Sequence, residues 1–94
     1  MNHGKPRFSL GQVVATPGAL EALAASGATA GQFLSRHVCG DWGEVGAEDW
    51  QSNEDALIHG ERLLSAYSLA NAERLWIITE ADRSVTTLLL SQEY

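Results

Sequence analysis

Residues 62–90 read RLLSAYSLANAERLWIITEADRSVTTLLL, and the alternation of apolar runs and turn formers in this stretch decides the fold. Three segments suited to a pleated surface (62–69, 74–80 and 85–90) are separated by Ala70-Asn71-Ala72-Glu73 and by Asp82-Arg83-Ser84. Connections this short join antiparallel neighbours, so the stretch predicts a three-stranded meander. In its middle strand Leu75, Ile77 and Thr79 point one way, and Trp76, Ile78 and Glu80 the other. Helices laid on one face would leave Trp76 and Ile78 as an exposed patch, unless the first strand, the tail or a second subunit covers them. These two residues are the candidate face of a homodimer.

The chain upstream predicts one strand and three short helices. Residues 1–7 are polar and read as a flexible lead-in, leaving 8–94 as a single α+β domain. Residues 8–16 (FSLGQVVAT) end in a strand-like stretch. Thr16-Pro17 starts a helix, with Thr as N-cap and Pro at the first helical position, and Gly27 stops it. Thr29 and Gln32 have capping-box spacing for a second helix, which Gly40 closes. A third helix is expected from about Ala47 to His59. Trp50, Leu57 and Ile58 share its predicted buried face, and Glu48, Ser52, Asp55 and His59 its outer one. Glu48 and Asp55 would then stand roughly 10.5 Å apart.

Charge is distributed unevenly. Asp41, Glu44, Glu48, Asp49, Glu54, Asp55 and Glu61 fall in one stretch with no Lys or Arg, and Trp42 and Trp50 lie among them. The whole 94-residue chain has a formal charge of −6, so everything outside this block is close to balanced. Such a field repels nucleic acid and anionic membranes and attracts basic surfaces, including the grooves of nucleic-acid-binding proteins. Rigidly spaced carboxylates can stand in for a phosphate backbone. Asp41, Glu44, Glu48, Asp49 and Asp55 are the candidate contacts to Lys and Arg of a partner, with Trp42 as apolar anchor. The six basic residues are scattered, which argues against direct nucleic-acid binding. No apolar run approaches the ~20 residues of a membrane helix. With Cys39 as the lone cysteine and no leader pattern, a soluble cytoplasmic protein is expected.

Several stretches resemble a family of short bacterial proteins encoded on plasmids and other mobile elements. They are Gly40-Asp41-Trp42-Gly43-Glu44, 53–60 (NEDALIHG), 64–67 (LSAY) and, most distinctively, 75–87 (LWIITEADRSVTT). The likeness runs from Phe8 to Tyr94. Members are labelled "plasmid-related protein" or "type I restriction endonuclease subunit M". The second label conflicts with this sequence. A methylating subunit needs a glycine-rich loop for the methyl donor and an Asn/Asp-Pro-Pro-aromatic motif for the flipped base. The only prolines here are Pro6 and Pro17. The resemblance implies residence among mobile genes, where small acidic inhibitors of host defence are common.

Catalytic patterns are sparse. His37-Val38-Cys39-Gly40-Asp41 brings together a base, a thiol and a carboxylate, the raw material of a Cys/His enzyme. Residues two apart on a helix point about 200° away from each other, however. A small buried thiol and a helix-end histidine are the simpler reading. His37, Cys39, Asp41 and His59 match no zinc spacing, and the acids match no EF-hand. Neither a phosphate-binding loop nor a cleft for paired glycosidase carboxylates is indicated. The expectation is a non-enzymatic, cofactor-free binding module. Its concrete form is an anti-CRISPR or anti-restriction inhibitor; the first alternative is a dimeric structural or regulatory accessory protein of a plasmid or phage, and the second a small Cys/His enzyme using His37 and Cys39.

Overall fold

A computed structural model describes residues 4–94 and contains a four-stranded sheet in the order β1-β4-β3-β2. The elements run β1 (Gln12–Ala15), α1 (Pro17–Ser26), α2 (Ala30–Val38), α3 (Ala47–His59), β2 (Leu63–Ser68), β3 (Arg74–Thr79) and β4 (Val85–Leu90). A short 3-10 turn, Ser91–Glu93, follows. The α+β class and the antiparallel meander β2-β3-β4 are as expected. The sheet itself is larger than predicted, because β1 joins it as a fourth strand parallel to β4, with Gln12 opposite Val85 and Ala15 opposite Leu88. Gly11 makes that pairing possible: its φ is +65°, and a Cβ there would collide with the backbone of Ser84.

The caps anticipated from sequence are made. Thr16 Oγ1 accepts from Ala19 N–H at 3.0 Å, and Gly27 ends α1 in the left-handed region. Thr29 and Gln32 form the reciprocal capping box of α2. These helices cover one sheet face. Ala19, Ala22 and Leu23 of α1 pack with Leu75, Ile77, Leu88 and Leu90, and Phe33 and Leu34 of α2 close the same core.

The opposite face is not the bare apolar patch the sequence suggested. Ile78 is 5% exposed and Trp76 half-buried. Of the three possible covers, the tail supplies the visible one: the Tyr94 ring lies 5.2 Å from that of Trp76. Arg62 holds Tyr94 from the other side, donating to its hydroxyl at 3.2 Å. A pocket of about 240 Å³ opens between Arg62, Leu63, Leu64, Trp76, Ile78 and Tyr94.

Of the predicted lead-in, residues 1–3 lie outside the described residues. Arg7 is tied into the domain, its N–H donating to Val38 O at 2.8 Å, and Phe8 packs on a second core of Trp42, Ala56 and Leu63. Among the described residues no helix is long and apolar enough to cross a membrane.

Candidate functional site

β2 is an edge strand, and its outward backbone groups would be open to any passing strand. The acid-rich segment closes them. Asn53, on the buried side of α3, accepts from Leu64 N–H at 3.1 Å and donates to Leu64 O at 2.7 Å. One residue pair further on, Ala66 N–H donates to Trp42 O at 3.1 Å and Glu44 N–H to Ala66 O at 2.7 Å. Gly43 permits this approach. Its φ is +76°, and a Cβ there would strike Ala66 O and the Tyr67 ring. The block is first of all an edge cover.

That role consumes three of its seven carboxylates. Arg36 Nε donates to Asp41 Oδ2 at 2.7 Å, and Gly43 N–H donates to Asp41 Oδ1 at 3.2 Å. These bonds, the arginine's first, hold the Asp41 carboxyl below its ordinary range. Glu44 accepts from Ser68 Oγ at 2.7 Å and from Arg74 at 3.3 Å. Glu54 meets Arg7 through both oxygens, at 2.9 and 3.1 Å, and accepts from the Trp42 indole N–H at 2.9 Å. Arg7 first, then Trp42, keep its carboxyl low. Trp42 is fully buried, stacked beside Phe8, so it cannot be the partner anchor assigned to it. Asp41 and Glu44 likewise spend their charge inside the domain.

Glu48, Asp49, Asp55 and Glu61 remain exposed, and among the described residues none of them has a cationic partner; Asp55 accepts from Gln51 Nε2 at 3.0 Å. Glu48 and Asp49 fall in the first turn of α3, where Gly46 supplies no side-chain cap and negative charge complements the helix dipole. The outer face holding Glu48, Ser52, Asp55 and His59 is as predicted. The buried face is only partly so: Leu57 packs against the core as expected, but the fully buried residues are Asn53 and Ala56, while Trp50 is 37% and Ile58 77% exposed. The helix is rotated because the β2 edge demands a polar side chain, and Asn53 satisfies it. At about 100° per residue Ile58 borders Glu48 and Asp55 on the outer face, whereas Trp50 lies on the other side of the helix from them. Arg83 fixes the far end of α3, donating to Ala56 O at 3.1 Å and Glu61 O at 2.6 Å while its Nη1 also reaches Glu80 O at 3.1 Å.

His37 and Cys39 are not brought together. His37 is fully buried, with Nδ1 2.6 Å from Ser65 Oγ and Nε2 2.9 Å from Thr79 Oγ1. Thr79 Oγ1 lies 2.8 Å from Thr86 Oγ1, which donates to Leu10 O at 2.7 Å. That carbonyl sets the direction of the threonine bonds: Thr86 spends its proton on Leu10, so Thr79 donates to Thr86 and His37 donates through Nε2 to Thr79. Burial, helped by the charge of Arg83, pushes the imidazole pKa down to about 3, so the ring is neutral and Nδ1 accepts from Ser65. Cys39 is half-buried at the end of α2, its Sγ 3.5 Å from Gly4 O. Among the described residues no three His, Cys, Asp or Glu side chains gather as a metal site.

Glu48 and Asp55 are exposed where the helical pattern puts them, whereas the bonds of Asn53 and Arg83 have no sequence signal, because a single Asn or Arg has no pattern. No protein-family model matches the chain, and no curated protein or solved structure is similar enough to it to carry an argument.

Proposed function

We propose that the chain is a non-enzymatic, mobile-element-encoded binding module that inhibits a host nucleic-acid-targeting defence complex, of the CRISPR or restriction type. It presents the outer face of α3 to a basic nucleic-acid channel. The observation that carries this reading is the division of the acidic block. Arg7, Arg36 and Arg74 neutralise Glu54, Asp41 and Glu44, whereas among the described residues no cation meets Glu48, Asp49 or Asp55, and exposed Ile58 borders this outer face. Carboxylates that carry no internal ion pair, with an exposed apolar side chain beside them, are what a desolvated basic groove would reward.

Preorganisation supports the same reading. α3 is clamped at its middle by Asn53 and at its end by Arg83, so the backbone that carries its charges needs no ordering on binding. The contact set is Glu48, Asp49, Asp55 and Ile58; Trp42 holds the helix through Glu54, and Asp41 and Glu44 brace the segment that leads into it. The mobile-element setting rests on the resemblance of 75–87 and its companions. The test is competition: the protein is titrated against purified restriction and CRISPR effector complexes carrying labelled DNA or guide RNA. Displacement that weakens steeply with salt supports the proposal. Binding that is indifferent to both salt and nucleic acid would overturn it.

A further inference from the structure

The two edges of the sheet are treated differently. The outward groups of β2 at Leu64 and Ala66 are closed by Asn53 and by Trp42 and Glu44. At the other edge, β1 turns Gln12, Val14 and Thr16 toward β4, as Gln12 N–H to Ser84 O and Thr16 N–H to Leu88 O demonstrate. The N–H and C=O of Val13 and Ala15 consequently point away from the sheet, and none of the described residues bonds to them. Val13 is 43% and Val14 39% exposed. We infer that β1 pairs antiparallel with β1 of a second copy of this chain about a two-fold axis at Val14, joining the two sheets into one.

Geometry, charge and order favour a second copy over other occupants. With Val14 on the axis, Val13 and Ala15 of one copy face Ala15 and Val13 of the other as bond-exchanging pairs, and Pro17, which has no N–H, ends the ladder. Two molecules of charge −6 must meet where charge is sparse: no ionisable side chain lies between Arg7 and Glu21 in the sequence, and the Glu93 carboxylate at the end of β1 is engaged by Thr16 Oγ1 and Leu90 N–H, both at 2.7 Å. The acidic helix packs beside β2, at the opposite edge. Joining through β1 separates the two β2 strands by about 34 Å at ~4.8 Å per strand, far beyond a Debye length of ~8 Å. A linear peptide would have to be ordered on docking, whereas β1 is already extended and held by β4.

The experiment is amide exchange by NMR and sedimentation of the intact chain from micromolar to millimolar concentration. Protection of Val13 and Ala15, but not Val14, should rise with concentration, and association should strengthen with salt as like charges are screened. That sign is opposite to the one expected for the α3 contact, so the two readings fail separately. In a Cys39→Ser background, Val14→Cys should cross-link to a covalent dimer several-fold faster than Gln12→Cys, which sits on the same face but ~13 Å from its counterpart in this register. A monomer at every concentration, equal cross-linking of the two variants, or an edge protected only by a foreign extended segment would overturn the inference.

Discussion

Replacing Asn53 with Leu tests the claim that the acidic segment is an edge cover before it is anything else. Asn53 is 4% exposed, and its side chain holds both backbone groups of Leu64 at 2.7 and 3.1 Å. Leucine of similar size fills the space and leaves both groups unpaired. A buried orphan costs about 1–3 kcal/mol; with Leu64 half-buried the two together should cost roughly 2–4 kcal/mol. That is a large share of the ~5–15 kcal/mol of a small domain. Urea unfolding reads it as a lower midpoint with unchanged slope. Asn53→Asp supplies a second, directional readout. Its carboxylate still accepts from Leu64 N–H but opposes Leu64 O, so it should be at least as destabilised at neutral pH. On acidification a protonated carboxyl can donate to that carbonyl, and the variant should recover relative to wild type. If both variants unfold within about 0.5 kcal/mol of wild type, the span of a neutral surface change, the edge-cover account is refuted.

Acid should weaken the wild type through His37. Its pKa is about 3 folded against 6.5 as the ordinary value, so between those limits the unfolded chain holds the extra proton. The stability is therefore complete above about pH 6.5 and falls as pH drops; between about pH 7 and pH 5 the loss is ~2 kcal/mol. His37→Gln should flatten that slope whatever it does to the absolute stability, and an unchanged slope in urea titrations across this range would contradict the neutral buried imidazole. Below it, Asp41 and Glu54, both held low by arginine, add their own losses as they protonate. Gly43→Ala should cost more than the ~1–2 kcal/mol of a left-handed alanine, because its Cβ also meets Ala66 O. Thermal unfolding checks this, and a Tm equal to wild type would argue against the close approach of residues 42–44 to β2.

The local parts of this fold were legible because local physics builds them. Thr16-Pro17, Gly27 and the Thr29/Gln32 box each satisfy helix-end groups within a few residues, and the meander needs only short turns. The parallel pairing of β1 with β4 was not legible, since nothing near Gln12 announces Val85. Nor was the face of α3. Hydrophobic periodicity put Trp50 and Ile58 inside, but the requirement of a distant strand edge outweighed it and turned Asn53 inward. The acidic block divided for the same reason. Whether a carboxylate is free depends on arginines 5, 30 and 47 positions away along the chain, at Arg36, Arg74 and Arg7. Composition reported the charge and could not report its partners.

The measurement that bears most directly on the central claim is affinity capture from a lysate containing CRISPR and restriction complexes. Wild type is compared with Glu48→Lys/Asp55→Lys, after circular dichroism has established that both are folded. The account predicts that wild type retains one defence complex and loses it in moderate salt, and that the double variant retains none. Equal retention of the same complex by both proteins would contradict it.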